Sequence, residues 1–272
     1  MAASNLTLRV ISAVVLIPIV VGAVFWLPPI ILFALVGLFI AAGAWEWAPF
    51  AGWVETKQRI MLVALILLLG AGCYFAPNFD AMPWMWAAAL WWLIAFLLIV
   101  ATERETPLPW LKQKSVVISI CIFTLIPPWL AIGQIHAAPT LGPVAVIYLF
   151  VLVWVADIAA YFAGRAFGRH RLAPTVSPKK SWEGAVGGLV GAATVAAIAH
   201  QLAFAQAWAL AEFVLIGVGL AAISILGDLT ESLHKRASDI KDSGSLIPGH
   251  GGVLDRIDSL TATAPFFWLI FL

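Results

Sequence analysis

"WMWAAALWWLIAFLLIVA", residues 84–101, runs for eighteen residues without one charged side chain. As an α-helix it would be about 27 Å long, close to the roughly 30 Å hydrocarbon thickness of a bilayer. One such stretch could be the core helix of a soluble protein, but here it belongs to a series. Weakly charged runs recur at about 8–27, 29–50, 60–77, 84–101, 116–134, 143–163, 184–206 and 208–227, and a ninth, "SLTATAPFFWLIFL", occupies 259–272. Overall, 63% of residues are hydrophobic and 11% charged, with a mean hydropathy of +1.02. Ordinary soluble domains are about half apolar and about a quarter charged. The sequence therefore reads as an all-α polytopic integral membrane protein with eight to nine transmembrane helices. That composition excludes a soluble globular domain.

The first run has Arg9 at its head and no clear small-residue cleavage site after it, so a retained helix is expected rather than a signal peptide. Runs seven and eight require a tight turn near Ala205–Ala207, with Glu212 close to the membrane interface. Cys73 and Cys121 sit inside apolar runs, where a thiol serves as a small hydrophobe, and no metal-binding cysteine spacing is present.

All fifteen Lys and Arg residues lie at the head of the first run or in the segments 51–59, 102–115, 164–183 and 228–258. The alternate connections, near 28, 78–83, 135–142 and 205–207, contain none. Eight crossings that start inside return to the same side at each basic segment. The positive-inside tendency then places the N-terminus and every basic segment in the cytoplasm.

Two stretches concentrate polar chemistry on that side. In "WVADIAAYFAGRAFGRHRLAPTVSPKKSWEG", 154–184, Asp157 lies about two turns inside its apolar run. A carboxylate there is costly unless it faces a cavity, an ion or a basic partner, so a buried ion pair and a functional role both remain open. Arg165, Arg169, Arg171, Lys179 and Lys180 follow, as membrane anchors or as anion contacts. Within "SPKKSWEG", Ser177, Lys179, Lys180 and Ser181 combine hydroxyls and ammonium groups suited to phosphate oxygens. Pro178 is expected to open a turn and Ser181 to cap the next helix.

In the second stretch, 223–259, a helix continuing across 228–235 would put Asp228, Glu231, Ser232 and Lys235 on one face. Asp239 or Asp242 would follow on that face, and Gly244 and Pro248 signal a loop. Asp255 and Asp258 share a face if their segment is helical. Three acids on converging segments repel unless cations separate them. Magnesium bridging them to phosphate would do so, and so would a salt-bridge network with Lys235, Arg236, Lys241 and Arg256. His250 fits an acid–base group, a ligand or a hydrogen-bonded loop residue equally.

The segment Ser232–Asp258, "SLHKRASDIKDSGSLIPGHGGVLDRID", closely resembles the signature of the phosphatidate cytidylyltransferase family, also called CDP-diacylglycerol synthases. Ser232, Lys235, Arg236, Lys241, Asp242, Pro248, His250, Gly251, Gly252, Asp255, Arg256 and Asp258 all match. "GDLTESLHKR", "SPKKSWEG" and "AGAWEWA" around Glu46 also look like that family. Ile158 is bulkier than the small residues that often follow the family's counterpart of Asp157.

The resemblance implies transfer of cytidylyl from CTP to phosphatidic acid, giving CDP-diacylglycerol and pyrophosphate. It implies catalytic Asp228, Ser232, Lys235, Asp255 and Asp258, and magnesium bound by Asp228, Asp255 and Asp258, with potassium as a second cation. Substrate and phosphate contacts would come from Asp157, Ser177, Lys179, Lys180, Ser181, Arg236, Lys241, His250 and Arg256. Residues 1–134 would then be N-terminal transmembrane helices, and 135–272 the catalytic region of one continuous membrane domain. The expected setting is a bacterial inner membrane, with a homodimer left open and no nucleic-acid partner. A transporter and a cytidylyltransferase for another lipid phosphate are the competing readings. The cluster's confinement to one side argues against a transporter, whose site would sit near the midplane.

The charge pattern generates a direct test of orientation. Single cysteines placed in 103–114 and 166–175 should react with a membrane-impermeant thiol reagent only after the cytoplasmic side is opened, and those at 78–82 from outside. Labelling of 166–175 in intact cells contradicts the orientation.

Overall fold

The computed structural model describes residues 17–105, 108–240, 244 and 251–272. Helix α1 is described as Ile17–Trp26, followed by α2 (Pro29–Trp47), α3 (Thr56–Phe75), α4 (Met82–Glu103), α5 (Lys114–Ala137) and α6 (Gly142–Phe167). A two-stranded antiparallel hairpin, β1 (Arg171–Ala173) and β2 (Ser177–Ser181), leads into α7 (Trp182–Ala199), α8 (Leu210–Ala237) and α9 (Leu254–Phe271). Prolines mark the starts of α2, α4 and α6, where an absent N–H costs nothing because the first helical amides have no intrahelical acceptor.

Among the described residues, seven helices are long and apolar enough to cross a membrane, α2 through α8. The chain is a mostly helical, polytopic membrane protein. The N-terminal part of the first run lies outside the described residues. The last run starts earlier than its composition suggested: α9 begins at Leu254, so Asp255 and Asp258 are helical. The turn expected near Ala205–Ala207 is there, after a π-helical stretch His200–Phe204 that ends α7.

The fold is helical as expected, with one short hairpin between α6 and α7. The hairpin's turn spans residues 174–176, and Pro178 lies within β2 instead of opening the turn.

At the centre stands α5, largely buried despite Pro127 and Pro128 inside it. The Trp129 ring stacks on Phe33 at 4.5 Å, and its indole N–H donates to the Phe33 carbonyl at 2.8 Å. That ring fills the space beside Gly37, where a Cβ would be in collision. Cys121 is buried and both cysteines are free, as their apolar settings suggested.

The basic segments meet at one end of the bundle. Ser238 after α8 donates to the Phe50 carbonyl at 3.2 Å, and Lys112 pairs with Asp239 at 3.1 Å. Glu103, at the end of α4, accepts the backbone N–H groups of Thr175 and Val176 at 2.8–3.1 Å. The segment 102–115 is thereby tied to both the hairpin and the end of α8, and the end of α8 to Phe50, just ahead of 51–59.

Helices α6 and α7 approach closely because small residues line both. A Cβ on Gly188 would lie 3.0 Å from the Ala156 carbonyl and 3.2 Å from the Ala160 methyl, and one on Gly191 would lie 2.8 Å from the Ala159 methyl. In lipid, where apolar burial gives no preference for one helix over the solvent, this kind of close backbone packing drives association. Asp157 follows Ala156 directly, so the crossing also sets its position. Gly188→Leu should force the helices apart at a cost of about 1–3 kcal/mol. A lower unfolding midpoint in detergent is the expected result, and an unchanged midpoint contradicts this packing.

Candidate active site

Helix α8 does not stop where its apolar run ends. It continues to Ala237, so Asp228, Glu231, Ser232 and Lys235 recur every three or four residues on one face. Gly227 lets α9 come against that face: a Cβ there would strike the Asp258 carbonyl and lie 3.0 Å from the Ser259 Cα. The backbone contact brings Asp258 within electrostatic reach of Asp228, Glu231 and Asp157. Asp157 arrives from α6, within hydrogen-bonding reach of the Ser259 hydroxyl. Its surface stays exposed.

Two lysines enter among these acids. Lys180 Nζ stands 2.8 Å from Asp228 Oδ2, and Lys235 bridges Glu231 at 3.0 Å and Asp255. Neighbouring strand residues point to opposite faces, which explains why only one lysine of the β2 pair meets Asp228. Lys179 is exposed. The β2 strand ends at Ser181, whose hydroxyl accepts the Gly184 N–H at 3.1 Å and caps α7 as expected. At the base of the hairpin, Glu183 accepts from the backbone of Arg169 and His170 and pairs with the His170 ring at 2.6 Å.

Of the remaining expected residues, Ser232 contacts the acids directly. Ser232 touches Asp228 at the 3.5 Å limit of a hydrogen bond, and Ser177 is half-buried in β2. Arg236 and Arg256 are exposed. Lys241 and His250 lie outside the described residues, as does Asp242. Asp239 turns away from the acids of α8 to meet Lys112. Ile158 faces outward at 57% exposure.

Several contributors were not singled out as site residues from sequence. Glu231 is buried at 4% exposure, and with Asp258 it lines a small cavity completed by Thr124, Thr230 and Thr261 among others. Its helical spacing from Asp228 and Lys235 was the available signal. Glu46 accepts the Leu254 N–H at 2.8 Å from 208 positions earlier, a pairing with no local signature.

Among the described residues, no three His, Cys, Asp or Glu side chains stand together as a ready metal cage. The donor chemistry nevertheless suits a hard cation. Magnesium commonly takes one or two carboxylates and fills its remaining positions with water and substrate phosphate. Asp228 and Asp258, mutually repelling oxygen donors on touching helices, meet that requirement.

The fold and the cluster define a polytopic membrane protein with a charge-dense cluster where α6, β2, α8 and α9 come together. Residues 7–272 match the sequence model described as "Cytidylyltransferase family". The chain belongs to that family. It is 39% identical to a phosphatidate cytidylyltransferase of Haemophilus influenzae, covering 95% of this chain and 96% of the relative. The corresponding protein of Pseudomonas aeruginosa is 40% identical over 95% of this chain and 94% of its own length. That of Bacillus subtilis is 32% identical over 78% and 76%.

Proposed function

We propose that the chain is a phosphatidate cytidylyltransferase, carrying the cytidylyl group of CTP to phosphatidic acid. The observation that carries this reading is full-length similarity to relatives of that name, at 39% and 40% identity. The acid–lysine cluster beside lipid-facing helices supports it, since one substrate is a soluble triphosphate and the other an amphiphile.

In the reaction a phosphate oxygen of phosphatidate bonds to the α-phosphorus of CTP while the α–β phosphoanhydride bond breaks and pyrophosphate leaves. The lipid phosphate is already a nucleophile, so no covalent enzyme intermediate is required. Catalysis then rests on positioning and on neutralising charge. Lys180 and Lys235, which now neutralise Asp228, Glu231 and Asp255, would be the cations that meet phosphate oxygens. The hairpin presents Lys180 to the cluster, and Glu103 and Glu183 hold the hairpin's tip and base. Asp228 and Asp258, with Asp255 nearby, would hold magnesium. When bound, the metal supplies charge neutralisation of the triphosphate and its leaving group.

The basic end of the bundle would face the cytoplasm of a bacterial inner membrane, where CTP is available. Phosphatidate would keep its tails in the bilayer and present its headgroup at the cluster.

Purified protein in liposomes should convert phosphatidate and CTP, with magnesium, into CDP-diacylglycerol scored by mass in the lipid phase. ATP and GTP should substitute poorly, because their base edges would leave polar groups unpaired. Diacylglycerol should fail for want of the attacking phosphate. Asp228→Asn, Asp255→Asn and Asp258→Asn should each lose on the order of 10²-fold in turnover. Near-normal turnover in all three sinks the site, and transport of a solute without CDP-lipid formation sinks the function.

A further inference from the structure

The site lies in the second half of the chain, yet a carboxylate from the first half reaches into its base. Glu46 sits on the last turn of α2 at 2% exposure. Its Oε2 accepts the Leu254 N–H at 2.8 Å. Leu254 is the first residue of α9, whose opening amides have no intrahelical acceptor. No local side chain caps the helix from Val253. The Gly252 N–H is taken by Asp255 Oδ2 at 3.1 Å, which leaves the Leu254 amide to Glu46.

Gly244 presses on the same carboxylate: a Cβ there would run into Glu46 Oε1, Cδ and Cγ. Gly244 and Leu254 are thus both seated on one side chain. The base of that side chain is itself fixed. Trp47, its neighbour, donates its indole N–H to the Val117 carbonyl of α5 at 3.1 Å, and Gly43 packs one turn earlier against Ile257 and Leu254 of α9.

A carboxylate this deep is costly unless its charge is used. A negative group at a helix N-terminus has such a use, because the aligned peptide dipoles leave partial positive charge there. We infer that Glu46 is a positioning residue: a cap supplied from α2 that fixes the start of α9 and thereby the reach of Asp255 to Lys235 and of Asp258 to Asp228. It touches no substrate in this role. The inference rests on the cytidylyltransferase reading for its kinetic readout and on the geometry alone for its structural one.

The test compares full-length Glu46→Gln, Glu46→Ala and Gly244→Ala with the unaltered protein. Turnover, KM for CTP and for phosphatidate, and amide hydrogen exchange over 251–258 are measured for each. Glu46→Ala should lower kcat by about tenfold or more, as small misplacements of reacting groups do, with both KM values within about twofold. Exchange should quicken over 251–258 and stay unchanged in the α8 segment 228–237. Glu46→Gln keeps an acceptor oxygen and should restore most of the turnover and the protection. If Glu46→Ala does not fold, Gly244→Ala carries the test, since it crowds the same carboxylate from the other side and should show the same pattern more weakly. The cap is refuted if exchange over 251–258 is unaltered in Glu46→Ala, or in Gly244→Ala where only that variant folds. A raised KM for CTP in Glu46→Gln also refutes it, assigning Glu46 instead to direct substrate or metal contact. Failure of the unaltered protein to form CDP-lipid would overturn the function, while the exchange data would still decide the cap.

Discussion

Carboxylates next to a bilayer must be matched by opposite charge, and the organisation of this protein follows from how that is done. Lys180 against Asp228 and Lys235 between Glu231 and Asp255 keep the acids of α8 and α9 in place. Removing Lys235 from its buried pair with Glu231 would leave an uncompensated charge, at a cost of about 3–5 kcal/mol, whereas the more exposed Lys180–Asp228 pair is screened by solvent and contributes less. Asp228 and Glu231 belong to α8 and Asp255 to the neighbouring α9, and the lysines come from a strand and a helix. The network therefore ties β2, α8 and α9 into one unit. Its ammonium groups and its carboxylates are also the groups that phosphate and a divalent metal require.

Close backbone contact makes the network geometrically feasible. Gly227 brings α9 onto α8 at Asp258, and the glycines of α7 bring α6 in at Ala156, beside Asp157. Side chains at these crossings would separate the acids and dissolve the site. Interactions at the periphery then hold the polar segments over it: Glu103 on the hairpin tip, Lys112 on Asp239, and Glu46 beneath α9. The first five helices thus contribute rigidity and anchoring, while the charge that would act on substrate comes from the last four helices and the hairpin.

Much of this was legible in the sequence because it depends on local periodicity. Long uncharged runs gave α2 through α8, and three-and-four spacing placed Asp228, Ser232 and Lys235 on one face. The one-sided distribution of Lys and Arg anticipated the polar end where their segments converge. What escaped depends on tertiary contact. Nothing near Glu46 announces Leu254, and nothing in "SPKKS" announces a strand, because the hairpin is held by Glu103 from α4 and by its own pairing. Ile158 stood out for its bulk beside Asp157, but helical geometry turns adjacent residues about 100° apart and points it outward.

The most direct measurement is an experimental structure with CTP and magnesium bound. The triphosphate is expected between Lys180 of β2 and the carboxylates of Asp228 and Asp258, with the metal joining those acids to phosphate oxygens and at least one lysine shifted from its acid to the nucleotide. Nucleotide bound elsewhere, with Asp228 and Asp258 free of metal and both lysines still on their carboxylates, would contradict the account.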